Sequence, residues 1–221
     1  MMKLLSVQVG QVQTLPRFPA DDPAAAEWRS AIVKEPVQGK VRVGAEGLAG
    51  DAQQDRRNHG GVQQAINVYP FEHYAYWQTL PGLQAMTGGA FGENFTTLGL
   101  LEDTVCIGDL YRVGEGPDAA LVEVSQPRQP CYKLARRWQF AGLDQRAEAE
   151  GRTGWYFRVK QEGWVQAGDA LTLLERPFPQ WTVARVFALI HAPHDRAALA
   201  ALAGCEALSP GWRTAFQKKL A

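Results

Sequence analysis

The sequence predicts a mainly β fold, a small barrel or sandwich with a few inserted helices, followed by a C-terminal unit of three helices. Three observations predict it. Short β-prone runs alternate with Gly, Pro and Asp turns over the first three-quarters of the chain. A proline-rich connector, "ERPFPQW", interrupts that pattern after Leu174. Beyond it, apolar residues recur at helical rather than strand spacing. The boundary therefore falls between a β unit, residues 1–174, and a helical unit, residues 175–221.

Taken in order, Leu4–Val9 and Trp28–Val33 are β-prone, and Lys40–Val43 alternates polar with apolar. Ala65–Tyr69, Val105–Ile107, Leu110–Val113, Leu121–Ser125, Gly154–Val159 and Ala170–Leu174 continue the series. Pro70 suits the first position of a helix, which "FEHYAYWQTL" extends to a stop before Pro81. A second helix is expected from Pro130 through "CYKLARRWQF", with Leu134 and Trp138 four apart on one face. A third covers Leu143–Glu150 and ends at Gly151. In the tail, Val183, Val186, Phe187 and Ile190 have i, i+3, i+4, i+7 spacing. Asp195–Ala203 stops at Gly204, and Ser209-Pro210 is an N-cap and N1 pair opening a helix striped by Trp212, Phe216 and Leu220. Three helices this short need a surface to pack on, which the β unit supplies.

Composition narrows the function. With 221 residues, 46% hydrophobic, the chain can bury one good core. Its 23 Lys and Arg balance 23 Asp and Glu, so no global charge points to a nucleic-acid polymer or a membrane surface. The Met-Met-Lys-Leu-Leu start lacks a signal peptide's apolar core, and no early run is long enough to span a bilayer. Three cysteines do not make a disulfide framework, so a cytoplasmic setting with free thiols is expected.

Three stretches carry chemistry. In "EVSQPRQPCYKL", Cys131 sits at the expected helix start, where unpaired N–H groups and the macrodipole favour a thiolate, with Arg128 and Lys133 nearby. The plainer reading is a small hydrophobe under a loop. Cys106, in an apolar strand pattern, and Cys205, after a helix stop, read as structural. In "GLAGDAQQDRRNHGGVQQAINVY", the Gly60-Gly61 pair could offer backbone N–H groups to an anion, and Arg56, Arg57 and His59 charge-assisted bonds; a long polar loop is the alternative. No Gly-Lys-Ser/Thr follows, so this is not a P-loop. Asp51, Asp55 and His59 recur every four residues, which would make a metal site only on a continuous helix that the flanking glycines oppose. In "FGENFTT", Glu93 and Asn94 are ligand contacts or turn residues. The Gly-Asp pairs at 50–51, 108–109 and 168–169 mark tight turns. His73 reads as a packed surface residue.

"SAIVKEPVQGKV", "GLAGDAQQDRRNHGGVQQAINVYP", "GENFTT", "GDLYRVG" and "VSQPRQPCYKL", in that order over most of residues 28–173, resemble the MOSC superfamily, named for the C-terminal domain of molybdenum cofactor sulfurase. The tail, with "SPGWRTAFQKKL", is similar to the YiiM-type branch. The resemblance implies a closed β-barrel that binds a pterin-based molybdenum cofactor, with Cys131 as the metal ligand. It places Lys34, His59, Gly60, Gly61, Asn94, Arg128 and, from the same loop, Arg57 around the cofactor. Lys34 and His59 would then be proton donors or oxygen-polarising groups, and Gly60, Gly61 and Arg128 phosphate contacts. The implied activity is reduction of N-hydroxylated compounds, such as hydroxylaminopurine and amidoximes, to amines. With no nicotinamide or flavin fingerprint visible, electrons are expected from a separate flavin or iron–sulfur reductase. The rival is a carrier that passes on the pterin, or sulfur held on Cys131, without turnover.

Overall fold

The computed structural model describes residues 2–17, 27–55, 60–192 and 194–221. The N-terminal part supplies β1 (Lys3–Val9), β2 (Gln13–Leu15), β3 (Trp28–Ser30), β4 (Glu35–Pro36), β5 (Val41–Gly44), β6 (Gly47–Leu48) and β7 (Ile66–Pro70). Then come helix α1 (Tyr74–Trp77), β8 (Phe95–Leu98), β9 (Leu110–Val113) and β10 (Ala120–Pro127). Helices α2 (Lys133–Trp138) and α3 (Leu143–Ala149) lead to β11 (Trp155–Gln161), β12 (Gly163–Val165) and β13 (Leu171–Glu175). The chain ends with α4 (Val183–His191), α5 (Arg196–Ala203) and α6 (Pro210–Leu220).

One curled eight-stranded sheet, in the order β13-β9-β10-β11-β7-β8-β1-β4, dominates. Its pairs are antiparallel except β7 with β8, which run parallel from Val68 beside Phe95. The expected closed barrel is an open half-barrel: β13 and β4 are its edges and share no ladder. The reason lies in β4, two residues long with a proline that has no N–H to donate, so pairing cannot propagate beyond it. At the other edge only a bridge, Lys3 with Ala170, and bonds such as Leu4 N to Asp169 O (2.9 Å) draw the start of β1 toward β13. A small sheet, β12-β5-β6, and a ribbon, β2-β3, complete the β part.

Other expectations shift locally. Pro70 stays in β7, with φ −67° and ψ 130°, and the expected long helix divides into a 3-10 turn, Phe71–His73, and the four-residue α1. Val105–Ile107 is no strand; Cys106 makes one bridge to Thr182, and its N–H is taken by Asp109 (2.9 Å) in the Gly108 turn. The expected strand at Trp28–Val33 ends at Ser30, and β8 occupies "FTTL".

The tail is three helices, as expected, but they do not stand apart. Leu4, Val68, Trp155 and Phe157 of the sheet belong to one buried apolar cluster with Val183, Phe187, Leu202, Trp212 and Phe216. Val183 N bonds Val105 O (2.8 Å), Ser209 N bonds Ser125 O (2.9 Å), and Arg176 grips buried Asp109 through two nitrogens (2.9 and 2.7 Å). Thr182 and Asp195 cap α4 and α5 through their side chains; Ser209 stands at the N-cap of α6 without a side-chain bond. A second cluster (Tyr69, Tyr74, Trp77, Leu83, Met86, Phe91, Leu134 and Leu143) joins α1, α2 and α3 to Tyr69 of β7. Tyr69 stacks on Phe91 with centroids 4.0 Å apart. That aromatic platform fixes one wall of the site.

Candidate functional site

Strand β10 ends at Pro127, and the loop that follows is pinned at once: Arg128 N donates to Gly154 O (3.1 Å). The Arg128 side chain turns inward, where Nη2 donates to Phe91 O (2.6 Å) and the guanidinium lies 5.9 Å from the Phe91 ring. The residue is buried, yet its Nη1 has no hydrogen-bond partner among the described residues. Two prolines, 127 and 130, stiffen the path to Cys131. Helix α2 starts at Lys133 with Tyr132 as N-cap, so Cys131 precedes the helix instead of occupying its first turn. The expected helix start at Pro130 is thus displaced by three residues, and Cys131 stays beside the helix N-terminus, its O accepting from Leu134 N (2.9 Å). Its sulfur is free and half-buried, whereas Cys106 and Cys205 are buried, as a structural role requires.

Opposite the loop stands a buried charge network. Lys34 Nζ is bonded to Asp51 Oδ1, with side-chain exposures of 7% and 3%. Asp51 also accepts from Gly10 N (2.8 Å) and from Asn94 Nδ2 (2.8 Å). Asn94 in turn accepts from Asn67 N (3.1 Å) and donates to Gln8 O (3.2 Å). Burial pushes the Lys34 ammonium below its ordinary value, and the Asp51 charge opposes that shift only in part. Burial likewise raises the Tyr156 hydroxyl, against the pull of neighbouring Arg128.

These groups converge on one cleft with about 680 Å³ of empty space open to solvent. Of the residues singled out in the sequence, Lys34, Asn94, Arg128 and Cys131 line it together. Asp51, weighed in the sequence only as a metal ligand or turn residue, lines it as well, as do Asn67, Phe91 and Tyr156, which the sequence had not marked as site residues. Asn67 had left a signal, a lone amide in the apolar run "AINVY". Gly60 and Gly61 lead into a 3-10 turn, Val62–Gln64, and are not among the residues lining the cleft. Arg57 and His59, with Arg56, lie outside the described residues. The Asp51–Asp55 segment is not helical, Asp51 is committed to Lys34, and no metal-binding trio of His, Cys, Asp or Glu occurs among the described residues.

Two neighbours turn out to be scaffolding. Glu93 is fully buried and accepts from Gly89 N (2.7 Å), Phe91 N (3.0 Å), Tyr74 Oη (2.5 Å) and Thr96 Oγ1 (2.8 Å), so it folds the loop that presents Phe91. His73, expected at the surface, is buried between Glu102 (2.7 Å) and Arg152 (2.9 Å). It ties the 3-10 turn to the loop before β11.

An open half-barrel whose prolyl loop brings a free cysteine to a cationic cleft defines a MOSC-domain protein, and the MOSC domain model matches residues 55–172. The model of the YiiM-like 3-alpha helix domain matches residues 181–221, and the chain belongs to that YiiM-like family. It is 39% identical to the uncharacterized protein YflK of Bacillus subtilis (strain 168), over 98% of this chain and 93% of that one. The crystal structure of YiiM from Geobacillus stearothermophilus superposes with a TM-score of 0.81 at 39% identity, covering all of both chains. A protein of Gibberella moniliformis named "Reductase" is 37% identical over 86% of this chain, which spans 32% of that longer protein.

Proposed function

We propose that this chain is a molybdenum-cofactor-dependent reductase that converts N-hydroxylated bases and amidoximes to amines, a detoxifying activity. The observation that carries the reading is one cleft holding a free thiol, a buried guanidinium with an unpartnered nitrogen, and a buried lysine–carboxylate pair. MOSC domains are associated with molybdenum cofactor binding in general, and the donor set fits that group. Cys131 is a soft ligand suited to the metal. Arg128 Nη1 suits the phosphate, and the buried, unpartnered Asn67 Oδ1 and Gln64 Oε1 suit N–H donors of a pterin.

When bound, the cofactor supplies the two electrons that break the N–O bond; two protons complete the amine and water. The protein's part is positioning and protons. Arg128 and Phe91 shape the wall beside Cys131, and Asn94 and Gly10 hold Asp51 so that it aims Lys34. Lys34, its proton loosened by burial, is the general acid for the departing oxygen. His59 is its proposed companion, and Gly60, Gly61 and Arg57 the proposed outer phosphate contacts. Electrons come from a separate flavin or iron–sulfur reductase; the relative named "Reductase" supports a redox role.

The test is anaerobic turnover of benzamidoxime by cofactor-loaded protein with reduced methyl viologen as donor. Benzamidine formation that Cys131→Ser abolishes supports the reading. Stoichiometric cofactor with no benzamidine formed overturns it and leaves the carrier reading.

A further inference from the structure

Cys131 stands between two concavities. Both are lined by Asp55, Gln64, Gln129, Cys131, Lys133 and Tyr156, so they adjoin at the cysteine. They differ in what lies beyond it. The first continues to Lys34, Asn67 and Arg128; the second continues to Gln126, Tyr132 and Glu148. The first side is cationic, with unpartnered donors and acceptors, and it suits an anionic group. To the shared Asp55 and Lys133 the second side adds the Glu148 carboxylate, the Gln126 amide and the Tyr132 ring.

Glu148 is the unusual member. It lies on α3, half-buried, and its carboxylate has no hydrogen bond or ion pair to a described residue. Elsewhere around Cys131 the buried carboxylates are committed: Asp51 to Lys34, Glu93 to four donors. A carboxylate that loses water without gaining donors is destabilising, and burial accordingly raises the Glu148 carboxyl, with His191 opposing the shift and Asp144 adding to it. Tyr132, directly after Cys131, is 55% exposed; the Arg136 guanidinium covers one face at 4.8 Å from the ring centre, which leaves the other face for a planar guest.

We infer that this second concavity is the substrate subsite, in which Glu148 pairs with the N–H edge of an amidine-like N–C–N group whose ring lies against Tyr132. The assignment rests on the reductase reading for its substrate class and commits to N-hydroxylated amidines and amino-heterocycles over anionic hydroxamates. A carboxylate matches two parallel N–H donors, the pairing that gives Arg–carboxylate contacts their geometry. Glu148 is thus a specificity-determining residue, on the opposite flank of Cys131 from the cofactor side.

The experiment measures binding of benzamidine, which cannot be reduced, to the full chain by calorimetry, with benzoate as the anionic counterpart of the same shape. Wild type binds benzamidine in preference to benzoate. Glu148→Ala weakens benzamidine on the order of tenfold to a hundredfold, and Glu148→Lys reverses the preference. Tyr132→Ala weakens both ligands. In loaded protein, Glu148→Ala raises KM for benzamidoxime more than it lowers kcat. Equal benzamidine affinity in wild type and Glu148→Ala, or no binding to wild type, overturns the subsite. If benzamidine binding depends on Glu148 but no amidoxime is reduced, the subsite stands and the reductase reading falls. If amidoxime is reduced with unchanged KM in Glu148→Ala, the reductase reading stands and the subsite falls.

Discussion

Replacing Asp51 by Asn probes the network that aims Lys34. Both side chains are almost wholly buried, so the substitution leaves a lysine charge with one neutral amide in place of its counter-ion. Breaking a buried pair from one side costs about 3–5 kcal/mol. For a chain of this size each kcal/mol moves Tm by about 2–4 °C, so the drop at neutral pH is roughly 6–20 °C. The pH dependence has a definite sign. Burial already holds the folded-state Lys34 below its ordinary 10.5, and losing Asp51 removes the main opposing influence. Between the depressed folded value and 10.5 the unfolded chain binds more protons than the folded one, so stability rises with pH there. The Asp51→Asn deficit therefore shrinks on going from neutral pH toward 10.5. Thermal melts by circular dichroism across that range, with the double variant Lys34→Met, Asp51→Asn as control, make the check. The double variant recovers part of the loss because no unpaired charge remains. An unchanged Tm in Asp51→Asn, a deficit independent of pH, or a double variant no better than the single one would refute the reasoning.

Three further outcomes follow from the same structure. In loaded protein the alkaline limb of the pH–rate profile falls below the ordinary lysine value, because burial lowers the Lys34 proton affinity; Lys34→Arg, which cannot release its proton, reduces kcat on the order of a hundredfold. Arg128→Met weakens pterin retention by roughly tenfold or more, read as pterin released on gel filtration, since its unpartnered Nη1 and charge go together. Gly154→Ala destabilises by more than about 3 kcal/mol, measured as a urea midpoint. Gly154 has φ +75°, an added Cβ would lie 2.2 Å from Val68 O, and its N–H holds Glu102 at 2.7 Å.

What the sequence made legible was what local pattern encodes. The apolar stripe of Val183, Val186, Phe187 and Ile190 and the stop at Gly204 needed no partner to be read, and the Gly-Asp pairs sit in turns with positive φ at Gly50, Gly108 and Gly168. Sheet closure was not legible, because it depends on the length of β4 and on which edges meet, and those are non-local. Pro70 and Pro130 misled for one reason: proline's fixed φ serves an extended strand or loop as well as a first helical turn, and tertiary pairing decided between them. Asp51 looked like a turn residue beside Gly50; only the fold brings Lys34, seventeen positions earlier, onto it. Glu148 sits on a helix with no motif of its own, so its place beside Cys131 emerges only when α3 packs against the prolyl loop.

The central claim is that the Cys131 sulfur holds the metal of a molybdenum cofactor in the cleft shared with Arg128 and Lys34. X-ray absorption at the molybdenum edge, on wild type and Cys131→Ser loaded in the same host, tests it most directly. The account predicts one sulfur neighbour fewer around molybdenum in Cys131→Ser. An identical sulfur shell in the two proteins would contradict it.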